Sequence, residues 1–102
     1  MERFAWRASV KEGCVAEYKK RHDEIWPEMK EILKRAGICN YTIFLNGHEL
    51  FGYYECEKGV EYAKKLQNES EVVKKWDNYM SDILIWKNNE TQPKLEEVFR
   101  LE

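Results

Sequence analysis

A tyrosine and a histidine one helical turn apart, Tyr18 and His22, have the residue types and spacing that most readily support chemistry in this chain. They lie in the segment EYKKRHDEIWPEM. At about 100° per residue they fall within about 60° of Ile25 and Met29, on the apolar stripe of a helix. A buried phenol or imidazole needs a partner, because leaving either group unpaired costs about 1–3 kcal/mol. The pair is therefore either a satisfied structural pair or the lining of a pocket with a polar floor.

Histidine is suited to moving protons near neutral pH, because its ordinary pKa is about 6.5. A tyrosine one turn away can orient the imidazole or hydrogen-bond a bound hydroxyl. Spacing alone leaves open a purely structural His22, bonded to a backbone carbonyl in the core, and slightly favours it.

Three further residues are candidates for the same site. Tyr41 opens the strand after the first helix, and Trp76 lies at the centre of the apolar stripe of the second helix. If both helices cover one face of a sheet, these two can meet Tyr18 and His22 in one cleft. Asp77 lies about 100° around the helix from Trp76, where a carboxylate could reach the mouth of a cleft. The alternatives are that Tyr41 and Trp76 are core aromatics and that Asp77 lies on a solvated face.

The hydropathy pattern predicts alternating strands and helices. In chain order these are a strand at 3–10, a helix at 15–36, strands at 40–45 and 49–56, a short helix at 60–67, a longer helix at 69–86, a loop at 88–93 and a strand at 94–101. This β-α-β-β-α-β order predicts a ferredoxin-like α+β fold, with the helices on one face of an antiparallel sheet. The length of 102 residues suits a single domain, 1–102.

Punctuating residues indicate where the first helix is interrupted and where it ends. Pro27 lies inside the helical span, where it lacks a backbone donor and clashes with the preceding turn. We expect a kink or a restart there, with Asp23 capping the second piece. Gly37 should end the helix in a left-handed conformation.

Two other local signals indicate a hairpin and a helix start. Asn46-Gly47 between two β-rich runs predicts a tight turn in which both residues have positive φ. Asn68 followed by Glu71 resembles a capping box, so the longer helix of the second half should begin directly after Asn68.

The two central strands carry apolar side chains on both faces. The first of them has Tyr41, Ile43 and Leu45 on one side and Phe44 on the other. The second has Phe51 and Tyr53 opposite Leu50, Tyr54 and Cys56. Apolar groups on both faces of a sheet imply burial on both. Because the sequence offers no third layer, we predict a homodimer through the sheet, which would form a dimeric α/β barrel.

Composition excludes several classes of protein. The net charge is −2, with 17 basic and 19 acidic residues intermixed, which does not favour nucleic-acid binding. No apolar run reaches the length of a membrane span or a signal peptide. The three cysteines lack metal-ligand spacing and His22 is far from His48, so we predict reduced thiols, no metal, no cofactor and a cytoplasmic protein. The aromatic fraction of 14% suits a small-molecule site such as one for a sugar.

The run EYKKRHDEIWPEMKEIL resembles the YxxRHxxIWPEL signature of L-rhamnose mutarotases. The similarity continues through GICNYTIFL, KKWDNYMSDIL and LEEVFRL, so it covers nearly the whole chain. The resemblance implies a small cytosolic dimer that interconverts the α and β anomers of L-rhamnose without a cofactor. It also implies that His22 is the proton donor, that Tyr18 and Tyr41 contact the sugar, and that Trp76 and the next position bind it.

The sequence departs from the family pattern at that next position, because typical members have a second tryptophan where this chain has Asp77. The change removes a stacking surface and introduces a hydrogen-bonding carboxylate. The preferred sugar is therefore open between L-rhamnose, L-fucose, L-lyxose and a related aldose. The base that assists His22 is also open between a tyrosine, a water and Asp77.

Two other classes of function remain as alternatives. One is a non-catalytic module that binds a small sugar on the same dimeric sheet. The other is a cofactor-free monooxygenase-like enzyme, which rests on analogy of fold only.

Overall fold

Four strands form one antiparallel sheet in a computed structural model that describes residues 1–86 and 92–102. The strands are β1 (Glu2–Val10), β2 (Ile38–Asn46), β3 (Glu49–Cys56) and β4 (Leu84–Trp86). Their spatial order is β2-β3-β1-β4, with helices between β1 and β2 and between β3 and β4. The predicted α+β fold with a ferredoxin-like order is confirmed.

The inner face of β1 forms the middle of the core. Phe4, Trp6, Ala8 and Val10 are all buried, as the alternation of the sequence predicts. The strand is central in the sheet, with β3 on one side and β4 on the other. Its inward side chains are therefore packed under both pairs of helices.

The first helical span is two helices, α1 (Val15–Asp23) and α2 (Pro27–Arg35). Pro27 begins α2, because the first turn of a helix has no need of the missing N–H. The residue that caps α2 is Trp26, without a side-chain hydrogen bond, so the predicted cap at Asp23 is wrong. The helix ends before Gly37, whose φ of +80° confirms the predicted left-handed glycine.

The second helical span is also two helices, α3 (Val60–Glu69) and α4 (Glu71–Met80). The hydroxyl of Ser70 accepts a hydrogen bond from the Val73 backbone N–H at 3.3 Å, so the predicted cap at Asn68 is wrong. Helix α4 ends at Met80, six residues before the predicted end. Residues 84–86 instead pair with Ala8–Val10 of β1, because an unpaired strand edge offers backbone hydrogen bonds that a continued helix would leave unused.

The predicted strand at 94–101 is wrong. Lys94 makes one isolated bridge with Trp6, and the Leu95 N–H donates to the Ala5 carbonyl at 2.8 Å. Beyond Leu95 the chain has no regular structure. Strand β4 takes the edge of β1 at Ala8–Val10, and the tail meets the same edge only at Ala5 and Trp6. The predicted loop at 88–93 lies outside the described residues except at Gln92 and Pro93.

The hairpin between β2 and β3 turns one residue later than predicted. Asn46 pairs with Glu49, so the two turn residues are Gly47 and His48. Of these, Gly47 has a positive φ of +63°, which is the pattern of a type II′ turn with glycine first. The His48 side chain is exposed.

The outer face of the sheet carries an exposed aromatic pair. Phe44 and Phe51 are paired across β2 and β3, and they are 64% and 39% exposed.

None of the helices in the described part of the chain has the length and apolarity needed to cross a membrane.

Candidate active site

All five residues singled out in the sequence line one cavity of about 710 Å³ between the helices and the sheet. Helix α1 contributes Tyr18 and His22, strand β2 contributes Tyr41, and helix α4 contributes Trp76 and Asp77. The volume lies within the range of about 300–1,000 Å³ that is usual for small-molecule sites. The fold therefore brings together in space what the sequence presents in three separate segments.

Aromatic packing fixes the orientation of the His22 imidazole. The ring stacks on Tyr18, with the two centroids 4.3 Å apart, and it meets Trp76 edge-on at 5.5 Å. On its far side Trp76 meets Trp26 edge-on at 5.1 Å. His22 is thus held between rings from two different helices.

One hydrogen bond determines which nitrogen of His22 carries a proton. The Nδ1 atom lies 3.1 Å from the backbone carbonyl oxygen of Tyr18. Because a carbonyl oxygen can only accept, Nδ1 must be protonated. The Nε2 atom of the neutral ring then keeps its lone pair, and it has no hydrogen-bond partner in residues 1–86 and 92–102.

Burial keeps the imidazole neutral. It lowers the pKa of His22 below its ordinary value of 6.5, although the bond to the Tyr18 carbonyl and the charge of Asp23 act in the opposite direction. At neutral pH the cavity therefore contains an uncharged imidazole with an accepting nitrogen, which is the form that can take a proton.

A bulge in β2 directs Tyr41 into the cavity. Cys39 pairs with Glu55 and Thr42 pairs with Tyr53, so two residues of β2 stand opposite one residue of β3. The extra residue, Asn40, has a φ of +50°, which asparagine tolerates better than most residues. The bulge shifts the alternation of the strand, so Tyr41 faces the helices together with the inward residues that follow.

The two phenols of the cavity are neutral donors. Burial raises the pKa of both Tyr18 and Tyr41 above the usual range of tyrosine. The Tyr41 hydroxyl accepts a hydrogen bond from the Nε1 atom of Trp6 at 3.0 Å. Both phenols can hydrogen-bond the hydroxyl groups of a ligand.

Asp77 lies at the mouth of the cavity. Asp77 as a whole is exposed, but the surrounding protein partly desolvates its carboxyl group and raises the pKa of that group. The structure shows no hydrogen bond from this carboxyl group to any described residue. It is therefore available to a ligand that enters the cavity.

Sequence reasoning missed several residues of the lining. Trp6 and Trp86 meet edge-on at 5.2 Å, and the amide of Gln67 is buried and donates to the Ala63 carbonyl. The sequence signal that could have indicated Gln67 is its polar side chain on the apolar stripe of α3.

No group of three or more His, Cys, Asp or Glu side chains in the described part of the chain could hold a metal ion.

Arg21, which sequence reasoning also missed, joins the two helices that carry the site. Its guanidinium donates a hydrogen bond to the Glu17 carboxylate on α1 at 2.7 Å. It also donates to the Tyr79 carbonyl near the end of α4 at 2.8 Å and to the Asp82 carboxylate just after that helix at 2.9 Å. It also lies 4.3 Å from the centre of the Tyr79 ring. The end of α1, and with it His22, is thereby fixed against α4.

The fold and the cavity define a small α+β protein whose site combines a neutral imidazole, two phenols and several indoles. Residues 3–101 match the model of the L-rhamnose mutarotase family. The chain therefore belongs to this family.

Similar proteins agree with that assignment. The L-rhamnose mutarotase of Lachnoclostridium phytofermentans is 41% identical, and the alignment covers 100% of both chains. The L-rhamnose mutarotase of Listeria monocytogenes serovar 1/2a is 48% identical over 86 residues, which are 82% of this chain and 81% of that one. The crystal structure of L-rhamnose mutarotase from Formosa agariphila matches with a TM-score of 0.83 at 35% identity and covers 100% of both chains.

Proposed function

We propose that this chain interconverts the α and β anomers of L-rhamnose without a cofactor. The observation that carries the proposal is the neutral His22 with an unpaired Nε2, held at the wall of a cavity that is large enough for a monosaccharide. Membership of the L-rhamnose mutarotase family supports the same reaction.

The reaction moves protons only. The anomeric hydroxyl loses its proton, the bond from C1 to the ring oxygen breaks, and the ring oxygen gains a proton. The product is the open-chain aldehyde, which rotates about the C1–C2 bond and closes on its other face. One well-placed acid/base group typically accelerates such a step by about 10²–10⁴-fold.

His22 can serve both oxygens in turn. The lone pair of Nε2 takes the proton of the anomeric hydroxyl, and the imidazolium then donates a proton to the ring oxygen as the ring opens. Both oxygens are bonded to C1, so one nitrogen can reach each of them with a small movement. The proton on Nδ1 of His22 stays hydrogen-bonded to the Tyr18 carbonyl oxygen throughout.

The remaining side chains orient the sugar. The phenols of Tyr18 and Tyr41 hydrogen-bond its hydroxyl groups, and the indole of Trp76 covers an apolar C–H face. Asp77 bonds a hydroxyl at the mouth of the cavity. Orientation of this kind contributes to the rate because it removes the cost of aligning reactant and acid/base group.

Replacing His22 tests the reaction most simply. In exchange NMR on L-rhamnose, we expect the wild-type protein to accelerate anomer exchange and His22→Ala to lose about 10²–10⁴-fold of kcat. Circular dichroism of the variant controls for misfolding. Absence of acceleration by the wild type, or an undiminished rate in a folded His22→Ala, contradicts the proposal.

Asp77 should set the preference among sugars. We expect Asp77→Trp to change the relative KM values for L-rhamnose, L-fucose and L-lyxose by about threefold to tenfold, because a stacking surface replaces a hydrogen bond. The kcat for L-rhamnose should change less than KM, because the proposal gives Asp77 a binding contact and leaves the proton transfers to His22. Exchange NMR on the three sugars measures both quantities.

The control for this experiment is Glu71→Gln, which removes an exposed carboxylate at the start of the same helix. It should leave the sugar preference unchanged. If Asp77→Trp and the wild type share one preference, Asp77 does not select the sugar.

We propose further that two copies pair through the outer face of the sheet. Support comes from the exposed aromatic pair Phe44 and Phe51. An ion pair between Arg7 and Glu49, 3.6 Å apart, lies beside it on the same sheet. A second copy would remove this apolar surface from water.

We also propose a cytoplasmic location, because Cys14, Cys39 and Cys56 are all free thiols.

Light scattering after size-exclusion chromatography tests the dimer. We expect the wild type to have twice the chain mass of 12.3 kDa and Phe44→Glu to have the chain mass. Tyr62→Glu, at an exposed aromatic on α3, is the matched control and should remain dimeric. A monomeric wild type, or a dimeric Phe44→Glu, would refute pairing through this face.

A further inference from the structure

The indole of Trp6 reaches a residue of a strand that is not its neighbour in the sheet. Trp6 lies on β1 and Tyr41 on β2, and β3 runs between them. Nevertheless the Trp6 Nε1 atom donates to the Tyr41 hydroxyl oxygen at 3.0 Å. The indole must therefore lie across the inner surface of β3.

A glycine on β3 makes this crossing possible. Gly52 is the direct partner of Trp6 in the pairing of β1 with β3. A Cβ atom at Gly52 would lie 2.0 Å from Cε2 and 2.4 Å from Nε1 of the Trp6 indole, well inside van der Waals contact. Glycine in the interior of a strand often marks such a close approach. The absence of a side chain at position 52 thus brings the indole N–H to Tyr41.

The direction of this hydrogen bond determines what Tyr41 offers the cavity. An indole N–H can only donate, so the Tyr41 oxygen must accept. Its own proton is then directed elsewhere, and the structure gives it no acceptor among the described residues. Because Tyr41 lines the cavity, the proton is available to a ligand oxygen.

We propose that Trp6 is a positioning residue that fixes Tyr41 as a hydrogen-bond donor to the anomeric oxygen of the sugar. The inference rests on the proposed function. When the anomeric hydroxyl gives its proton to His22, negative charge develops on that oxygen. A phenol held as a donor stabilises this charge, whereas a freely rotating phenol spends part of its time as an acceptor.

The bond to Trp6 also strengthens the phenol as a donor. A hydroxyl group that accepts one hydrogen bond donates a stronger one, because successive hydrogen bonds polarise each other. The effect is larger in a buried environment, and Trp6 is 2% exposed. Trp6 and Tyr41 therefore act as one unit, in which the indole N–H makes the phenol a stronger donor.

The experiment must separate this role from simple packing, because Trp6 also meets Trp86 edge-on at 5.2 Å in the core. Genetic-code expansion allows Trp6 to be replaced by 3-benzothienylalanine, which has nearly the shape of tryptophan but a sulfur in place of the N–H. Tyr41→Phe removes the phenol. The two changes, singly and together, form a double-mutant cycle that is read by anomer-exchange NMR.

We expect the benzothienyl replacement to lower kcat about tenfold with little change in KM, and Tyr41→Phe to lower it by about 10²-fold. The double variant should be no slower than Tyr41→Phe, because Trp6 acts through the phenol. Tyr62→Phe, which removes an exposed phenol on α3, should match the wild type. The melting temperature of the benzothienyl protein should stay close to that of the wild type.

Two results would overturn the inference. Full kcat in the benzothienyl protein would show that the N–H is unnecessary, and an equal loss in the presence and absence of the phenol would show that Trp6 acts independently of Tyr41. An inactive wild type would instead refute the proposed function itself. The two failures are therefore distinguishable, since one appears in the variants and the other in the parent protein.

Discussion

The hydrogen bond from His22 Nδ1 to the Tyr18 carbonyl is the interaction on which the site depends. It exists because the two residues are one helical turn apart, and the carbonyl can only accept. Burial of the ring then keeps the imidazole uncharged, so the second nitrogen retains a lone pair at the cavity wall. The hydrogen bond that satisfies one nitrogen of the partly buried ring thus leaves the other nitrogen able to take a proton.

The fold holds this imidazole by constraints that come from both halves of the chain. Pro27 separates α1 from α2, and Arg21 ties the end of α1 to the turn after α4. Trp76 of α4 then meets the imidazole edge-on. On the opposite wall the bulge at Asn40 and the bare backbone of Gly52 orient Tyr41 and Trp6. The cavity is therefore bounded by groups that have little freedom to rotate.

Sequence patterns predicted the element order because alternation and helical stripes are properties of neighbouring residues. The same patterns did not predict the strand and the tail after α4. Ile83 and Trp86 continue the helical stripe of Tyr79 and Met80, so the sequence alone indicates a longer helix. Residues 84–86 form a strand because they pair with the free edge of β1. The cluster of Tyr18, His22, Tyr41, Trp76 and Asp77 followed from spacing and resemblance. Trp6 could not be found in this way, because its part depends on a cross-strand glycine and a bulge that have no local signal.

The pH dependence of kcat/KM for anomer exchange tests the neutral imidazole most directly. Because the unprotonated Nε2 is the active form and burial lowers the pKa of His22, activity should persist below pH about 6.5 and then fall with an apparent pKa under that value. The same acid limb should remain in Asp77→Asn, which removes the cavity carboxyl group whose pKa is raised by burial. A rate that rises as the pH falls through 6.5, or an acid limb that disappears in Asp77→Asn, would contradict the account.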